Sequence, residues 1–215
     1  MHKRILVGAA VVAVAAGLGL ALSPNAQFVI GGAMVNLGFR MQDHLEAFDL
    51  DHNHPDSKAV YDSVVQHNHL AAGVRQLFPR TPRHPLVAMV VCMDARIDTE
   101  ELVGDTRKYY YVIRTAGSAL ADKELDMLEL AVANGVETIL LTRHTDCAAE
   151  KVAANPQLRG RYPHLVAAID QRDAIDKALA ARPSIAQKLR TGALTIGHMH
   201  IDTATDAMTE VATGK

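Results

Sequence analysis

An α/β fold with a mostly parallel central sheet flanked by helices is the architecture this sequence predicts, and three observations carry it. A short continuous apolar run, Leu86–Val91, has the look of a strand buried on both faces, and Val136–Leu141 reads as another buried strand. Stretches of helical periodicity separate them, the alternation expected of a parallel sheet with crossover helices. The composition suits such a sheet: hydrophobic residues make up 49% of the chain, aromatics only 4%, and tryptophan is absent, so Ala, Val, Leu and Ile must build the core. A length of 215 residues fits one domain of ordinary size plus an extension. A net charge of -2, from 22 basic and 24 acidic residues, points to neither nucleic acid nor an acidic partner.

The elements follow in order. His2, Lys3 and Arg4 precede an uncharged run from Ile5 to Leu22, which Ser23, Pro24 and Asn25 break. A basic start before an apolar run is the layout of a secretory signal. Residues 1–26 are therefore expected to be a signal peptide, with Gly19-Leu20-Ala21 a passable cleavage site, or an uncleaved membrane anchor, which needs roughly 20 apolar residues. Either places the protein on the periplasmic or extracellular side, anchored or exported, in preference to the cytoplasm. The alternative is a buried N-terminal helix. Residues 27–56 hold a second apolar stretch, Phe28 to Phe39, and a polar, acidic linker with Asp49, Asp51, Pro55 and Asp56. The main domain is expected over 57–215.

Apolar residues at helical spacing from Val60 to Leu77 predict a helix over Ser57–Phe78, stopped by Pro79 and Pro82. This stripe is core or subunit interface. A strand over Pro85–Cys92 follows, then a β-rich segment at Tyr109–Ile113. A helix over Asp122–Asn134 ends at Gly135. The strand Val136–Leu141 precedes helical stretches at about 146–154 and 163–181. Pro183 opens another helix, and a last strand runs from Ala193 to Ile201.

Two short strings carry the chemistry: Cys92-Met93-Asp94-Ala95-Arg96 and His144-Thr145-Asp146-Cys147. The chain has only two cysteines, and both are here. Two thiolates and an imidazole form a zinc set, and three protein ligands leave a fourth position for water, the arrangement of catalytic sites. Cys92 lies at the end of the first strand, and His144 and Cys147 lie just past the end of the third. Sites form at the carboxyl ends of strands in open parallel sheets, so segments 52 residues apart can converge. Asp146 is placed to cap a helix, which would put Cys147 in its first turn, where the helix dipole favours a thiolate. A Cys92–Cys147 disulfide and a pair of inert buried thiols remain open, and a structural ion pair is the lesser alternative for Asp94–Arg96 taken alone.

The chain resembles the β-class carbonic anhydrases. The resemblance rests on the C-x-D-x-R string and on the H-x-x-C string about fifty residues later. Arg114-Thr115-Ala116-Gly117-Ser118 looks like the family's R-N-A-G segment, and Gly197 to Val211 like its closing strand and tail. The similarity covers roughly Ser57 to Val211. It implies one Zn2+ per chain on Cys92, His144 and Cys147, with Asp94 and Arg96 as the catalytic dyad. The implied reaction is reversible hydration of CO2 to bicarbonate by attack of zinc-bound hydroxide, the dyad orienting the metal-bound water. Zinc lowers the pKa of water to about 7 at the three-histidine site of other carbonic anhydrases. Thiolates donate more charge, so a higher value is expected here. In some members the aspartate closes the zinc at low pH, which would make Asp94 a switch. A homodimer or tetramer is implied as well; membrane association through the N-terminal segment is expected from the pattern of that segment and not from the resemblance. The alternatives are a COS or CS2 hydrolase on the same scaffold and a non-catalytic zinc-binding relative.

Two positions depart from the family: Thr115 stands where Asn is usual, and Ala148 follows Cys147 where Gly is usual. Ala148 would be awkward if the backbone there needs positive φ. Four other histidines belong to a second rank. His52 and His54 read as a solvated loop, with a surface metal as the alternative. His198 and His200 share one strand face, and read as satisfied by neighbours, with proton relay or a second metal as the alternative.

Overall fold

The computed structural model describes residues 23–43, 56–78 and 81–211. The chain divides into two compact units, Met1–Arg80 and Thr81–Lys215. The first contributes two described helices, α1 (Pro24–Asp43) and α2 (Ser57–Leu77). Asp56 caps α2 by accepting the Ala59 N–H at 2.8 Å, and α2 buries none of its side chains. Helix α1 takes in the expected apolar stretch and continues past it to Asp43. Among the described residues no helix is long and apolar enough to cross a membrane. The expected signal or anchor run, Ile5–Leu22, lies outside the described residues, as do His52 and His54.

The second unit is the α/β domain. Its elements are β1 (Val87–Cys92), α3 (Thr99–Val103), α4 (Thr106–Tyr109), β2 (Tyr110–Thr115), a 3-10 turn (Ala116–Ser118), α5 (Asp122–Ala133) and β3 (Thr138–His144). There follow α6 (Ala148–Ala154), α7 (Pro156–Arg159), α8 (Pro163–Asp170), a second 3-10 turn (Arg172–Ala174), α9 (Ile175–Ala180), α10 (Pro183–Arg190), β4 (Thr195–Asp202) and β5 (Ala207–Glu210). The sheet order is β2-β1-β3-β4-β5, with the first four strands parallel and β5 antiparallel to β4.

The central position of β1 explains its sequence. From Ala88 to Cys92 every residue is buried, because neighbours flank it on both edges and helices cover both faces. Ala88 and Val90 face one apolar layer with Leu128, Val132, Ile139, Leu179 and Ile185. Met89 and Val91 face the other, with Ile97 and Ile201, and both cysteines belong to this second layer.

Expected and observed elements differ in places with identifiable causes. The single helix expected over 163–181 is broken into α8, the 3-10 turn and α9. Helices α3 and α4 were not expected, yet each begins with a local cap: Asp98 accepts the Glu100 N–H at 2.7 Å, and Asp105 accepts the Arg107 N–H at 2.9 Å. Their brevity, five and four residues, leaves no periodicity to detect.

Candidate metal centre

The parallel register sets the site. β1 and β3 are paired up to Val90↔Leu141, and the chain then continues to Cys92 on one strand and His144 on the other. Both side chains therefore emerge at the same edge of the sheet. After His144 the chain turns through Asp146 at φ 61 and enters α6, with Cys147 at the N-cap position. This corrects the expected capping: Asp146 sits one residue outside the cap, and its carboxylate pairs with Lys151 and, at 3.6 Å, with Arg96. Ala148 is the first helical residue, with ordinary φ, so its methyl group causes no backbone strain.

The sulfurs of Cys92 and Cys147 and an imidazole nitrogen of His144 all lie within 4.8 Å of one another, and all three residues are buried. Donor atoms around a tetrahedral zinc stand about 3.3–3.8 Å apart, given bonds of about 2.0–2.3 Å. The trio fits with a small contraction. Both cysteines are free thiols, so the disulfide reading does not describe this fold. His144 supplies the most telling atom. Its Nδ1 lies 2.9 Å from the Thr145 carbonyl and donates to it, which fixes the tautomer and leaves the Nε2 lone pair inward. That Nε2 is buried and has no hydrogen-bond partner. An orphaned acceptor beside two buried sulfurs is costly without a cation and satisfied by one.

The sulfurs have supporting donors. Cys92 Sγ accepts the Gly117 N–H at 3.2 Å. Backbone N–H groups in the first turn of α6, those of Glu150 and Ala149, favour the Cys147 thiolate. Burial outweighs them and pushes the metal-free Cys147 thiol up, with the second sulfur at Cys92 adding to the effect. A divalent cation reverses that balance. Gly117 is required here: its φ is +65, and a Cβ would fall 2.5 Å from Ile169 Cδ1 and 3.1 Å from Ala149 Cβ.

Asp94 and Arg96 form a two-pronged ion pair. Arg96 donates to Asp94 Oδ1 from its backbone N and from Nε, each at 3.0 Å, and to Oδ2 from a terminal guanidinium nitrogen at 2.8 Å. These bonds hold the Asp94 carboxyl well below the usual carboxylate range, the side-chain bond most, and His144 adds a smaller electrostatic pull. The same guanidinium reaches the Asp146 carbonyl at 3.3 Å, tying the loop after β1 to the loop after β3. Arg114 holds the first loop from beneath, donating to the carbonyls of Asp94 at 2.9 Å, Ile97 at 2.7 Å and Cys92 at 3.3 Å. The sequence signal for this bracing role is an arginine near the end of a strand that is otherwise rich in β-formers. Thr115, opposite Cys92 in the register, buries a hydroxyl without a partner.

His198 stands apart from the trio. Its Nε2 lies 2.9 Å from an Asp176 carboxylate oxygen, so the neighbour-satisfied reading holds for it. Cys92, His144 and Cys147 are the metal-competent group found among the described residues, and no second group includes His198 or His200.

A family model described as carbonic anhydrase matches residues 87–195, about half of the chain. The chain belongs to the β-class carbonic anhydrase family. Beta-carbonic anhydrase 1 of Mycobacterium tuberculosis is 34% identical over 91 residues, which cover 41% of this chain and 55% of that protein. Beta-carbonic anhydrase 1 of Mycobacterium bovis matches equally. The chain thus spans about half the length of the curated relatives it matches. Among solved structures, a tetrameric β-carbonic anhydrase from Sordaria macrospora superposes with a TM-score of 0.57 at 17% identity, covering 74% of this chain and all of that one. The carbonic anhydrase from Streptococcus mutans gives 0.53 at 22% identity, covering 71% and 97%. At these identities the structural likeness bears on the fold: the mostly parallel α/β sheet is that of β-carbonic anhydrases.

Proposed function

We propose that this chain hydrates CO2 reversibly to bicarbonate, with zinc held by Cys92, His144 and Cys147. The observation that carries the proposal is the buried His144, whose Nε2 has no hydrogen-bond partner and one of whose imidazole nitrogens lies within 4.8 Å of two cysteine sulfurs. Bound there, zinc supplies the Lewis acidity that makes water nucleophilic near neutral pH. The chain's own residues supply orientation. Asp94, ionised and fixed through both oxygens, accepts a hydrogen bond from the attacking water and so directs a lone pair at the carbon of CO2. Arg96 keeps that carboxylate charged and immobile. With its pKa held so low, Asp94 is a poor carrier for the proton that hydration releases, since proton carriers work best with a pKa near the operating pH. Its role is therefore positional, and the proton leaves by other groups or solvent.

Assembly into dimers or tetramers belongs to the same proposal. Large apolar side chains exposed on α2, among them Val64, Leu70, Val74 and Leu77, support it. Delivery to or across a membrane rests on the pattern of residues 2–22 alone, and the mass of the mature protein together with its membrane fraction tests it.

The deciding experiment is stopped-flow CO2 hydration by the full chain with its zinc quantified, beside C147S. About one zinc per chain and activity that C147S lacks is the expected result. A zinc-loaded wild type without activity overturns the proposal.

A further inference from the structure

The side chain of Arg172 is only 12% exposed, and its bonds lead toward the metal centre. It lies in the turn after α8 and lines a cleft of about 390 Å³ together with Arg143, Asp173, Asp176 and His198. Those neighbours pair within the cleft: Arg143 bonds Asp173, and His198 bonds Asp176. Arg172 differs. One terminal nitrogen donates to the Gly117 carbonyl at 2.7 Å, and the other to Glu150 Oε1 at 2.5 Å.

One of these acceptors belongs to a residue that supports a sulfur, and the other to the helix that begins at the second sulfur. Gly117 gives its N–H to Cys92 Sγ. Cys147 caps the helix in which Glu150 stands three residues on. Gly117, at φ +65, has no side chain to hold its peptide planes, and glycine has the most conformational freedom to lose. Its N–H is directed at Cys92 on one side, and Arg172 pins its carbonyl on the other. Glu150 lies in the first turn of α6, and the guanidinium neutralises the carboxylate beside Cys147. A planar fork with two separate donors can hold both acceptors at once, which an ammonium cannot reproduce.

We propose that Arg172 is a positioning residue for the metal centre, clamping Gly117 so that its N–H stays aimed at Cys92 and holding Glu150 in the first turn of the helix that Cys147 caps, and thereby setting zinc affinity. The inference rests on the reading of Cys92, His144 and Cys147 as the zinc ligands. The competing account is that packing of Ile169 and Ala149 around Gly117 suffices, with Arg172 serving only as a fold brace.

Zinc affinity of the full chain, measured by competition with a chromophoric chelator, separates the two for wild type, R172M, R172K and E150Q. Cobalt(II) absorption in the thiolate charge-transfer region and the melting midpoint of each metal-free protein are read alongside. R172M is expected to weaken zinc binding by about 10–100-fold, the usual range for residues that support metal ligands, and to shift the cobalt band. R172K should not restore either property, and E150Q should show a smaller loss. Wild-type affinity and cobalt spectrum in R172M, whatever its melting midpoint, overturn the proposal. If R172M does not fold, E150Q decides: Glu150 is more exposed, so its variant should fold, and unchanged zinc affinity overturns the clamp. A wild-type chain that takes up no zinc overturns the metal-centre reading and this inference together. Zinc-binding wild type with an unaltered R172M overturns this inference alone.

Discussion

Asp94 has a neighbour for each carboxylate oxygen before any water or substrate arrives. Its folded pKa lies below its unfolded value of about 3.9, so its contribution to stability is complete above about pH 4 and is lost only as pH falls through the depressed folded value. No inflection in the rate profile between pH 5 and 9 should therefore belong to Asp94. D94N should lower the rate by about 10–100-fold and move the pH–rate profile to lower pH, because a negative charge beside the attacking water is gone. A wild-type profile in D94N would remove both the orienting role and the switch. Gly117→Ala tests the other constrained position: with φ at +65 and a Cβ 2.5 Å from Ile169 Cδ1, it should cost more than about 1 kcal/mol in urea unfolding. At this scale the grouping of Cys92, His144 and Cys147 was legible and the residues around it were not. Cysteine and histidine declare their chemistry by type, and strand ends declare where they meet. Arg172 is one of many basic residues, and only the fold brings it to Gly117, 55 positions earlier.

Elements were legible where a long pattern defines them. Strand β1 has an unbroken apolar run because it is buried on both faces, and α5 ends where Gly135 permits a φ of +114. The break between α8 and α9 left no such mark, since Arg172, Asp173 and Ala174 suit a helix as well as a turn. The start of α6 was misjudged by one residue because Asp146 is a good capping residue, while the fold uses it at φ 61. Ala148→Gly follows from the corrected boundary. With a helical φ at this position, glycine brings no relief, and the variant should lose up to about 1 kcal/mol rather than gain stability. Leu128 of α5 is fully buried in the layer that does not contain the cysteines. Leu128→Ala should destabilise by about 2–5 kcal/mol while zinc stoichiometry stays that of the wild type. Denaturant midpoints and metal analysis on the same samples check both halves of that statement.

For the whole molecule, metal occupancy and stability are linked. On the proposed assignment zinc binds the trio assembled by folding and not the same residues dispersed, so free zinc at 100 times its Kd should add about 2.7 kcal/mol. Removal by a chelator should lower the melting midpoint of the wild type and leave that of C147S nearly unchanged. A wild-type midpoint indifferent to the chelator would contradict this linkage. The order in which the donors leave the ribosome has its own consequence. Cys92 is made 52 residues before His144 and 55 before Cys147. At synthesis rates of about 5–20 residues per second, the first thiol waits roughly 3–10 s for its partners. During that interval β3 has not been completed, and Cys92 stands in an unfinished sheet with no partner for a shared ion. Oxidative damage in the newborn chain should therefore fall on Cys92 first, and mass spectrometry of nascent chains under oxidant would find it there.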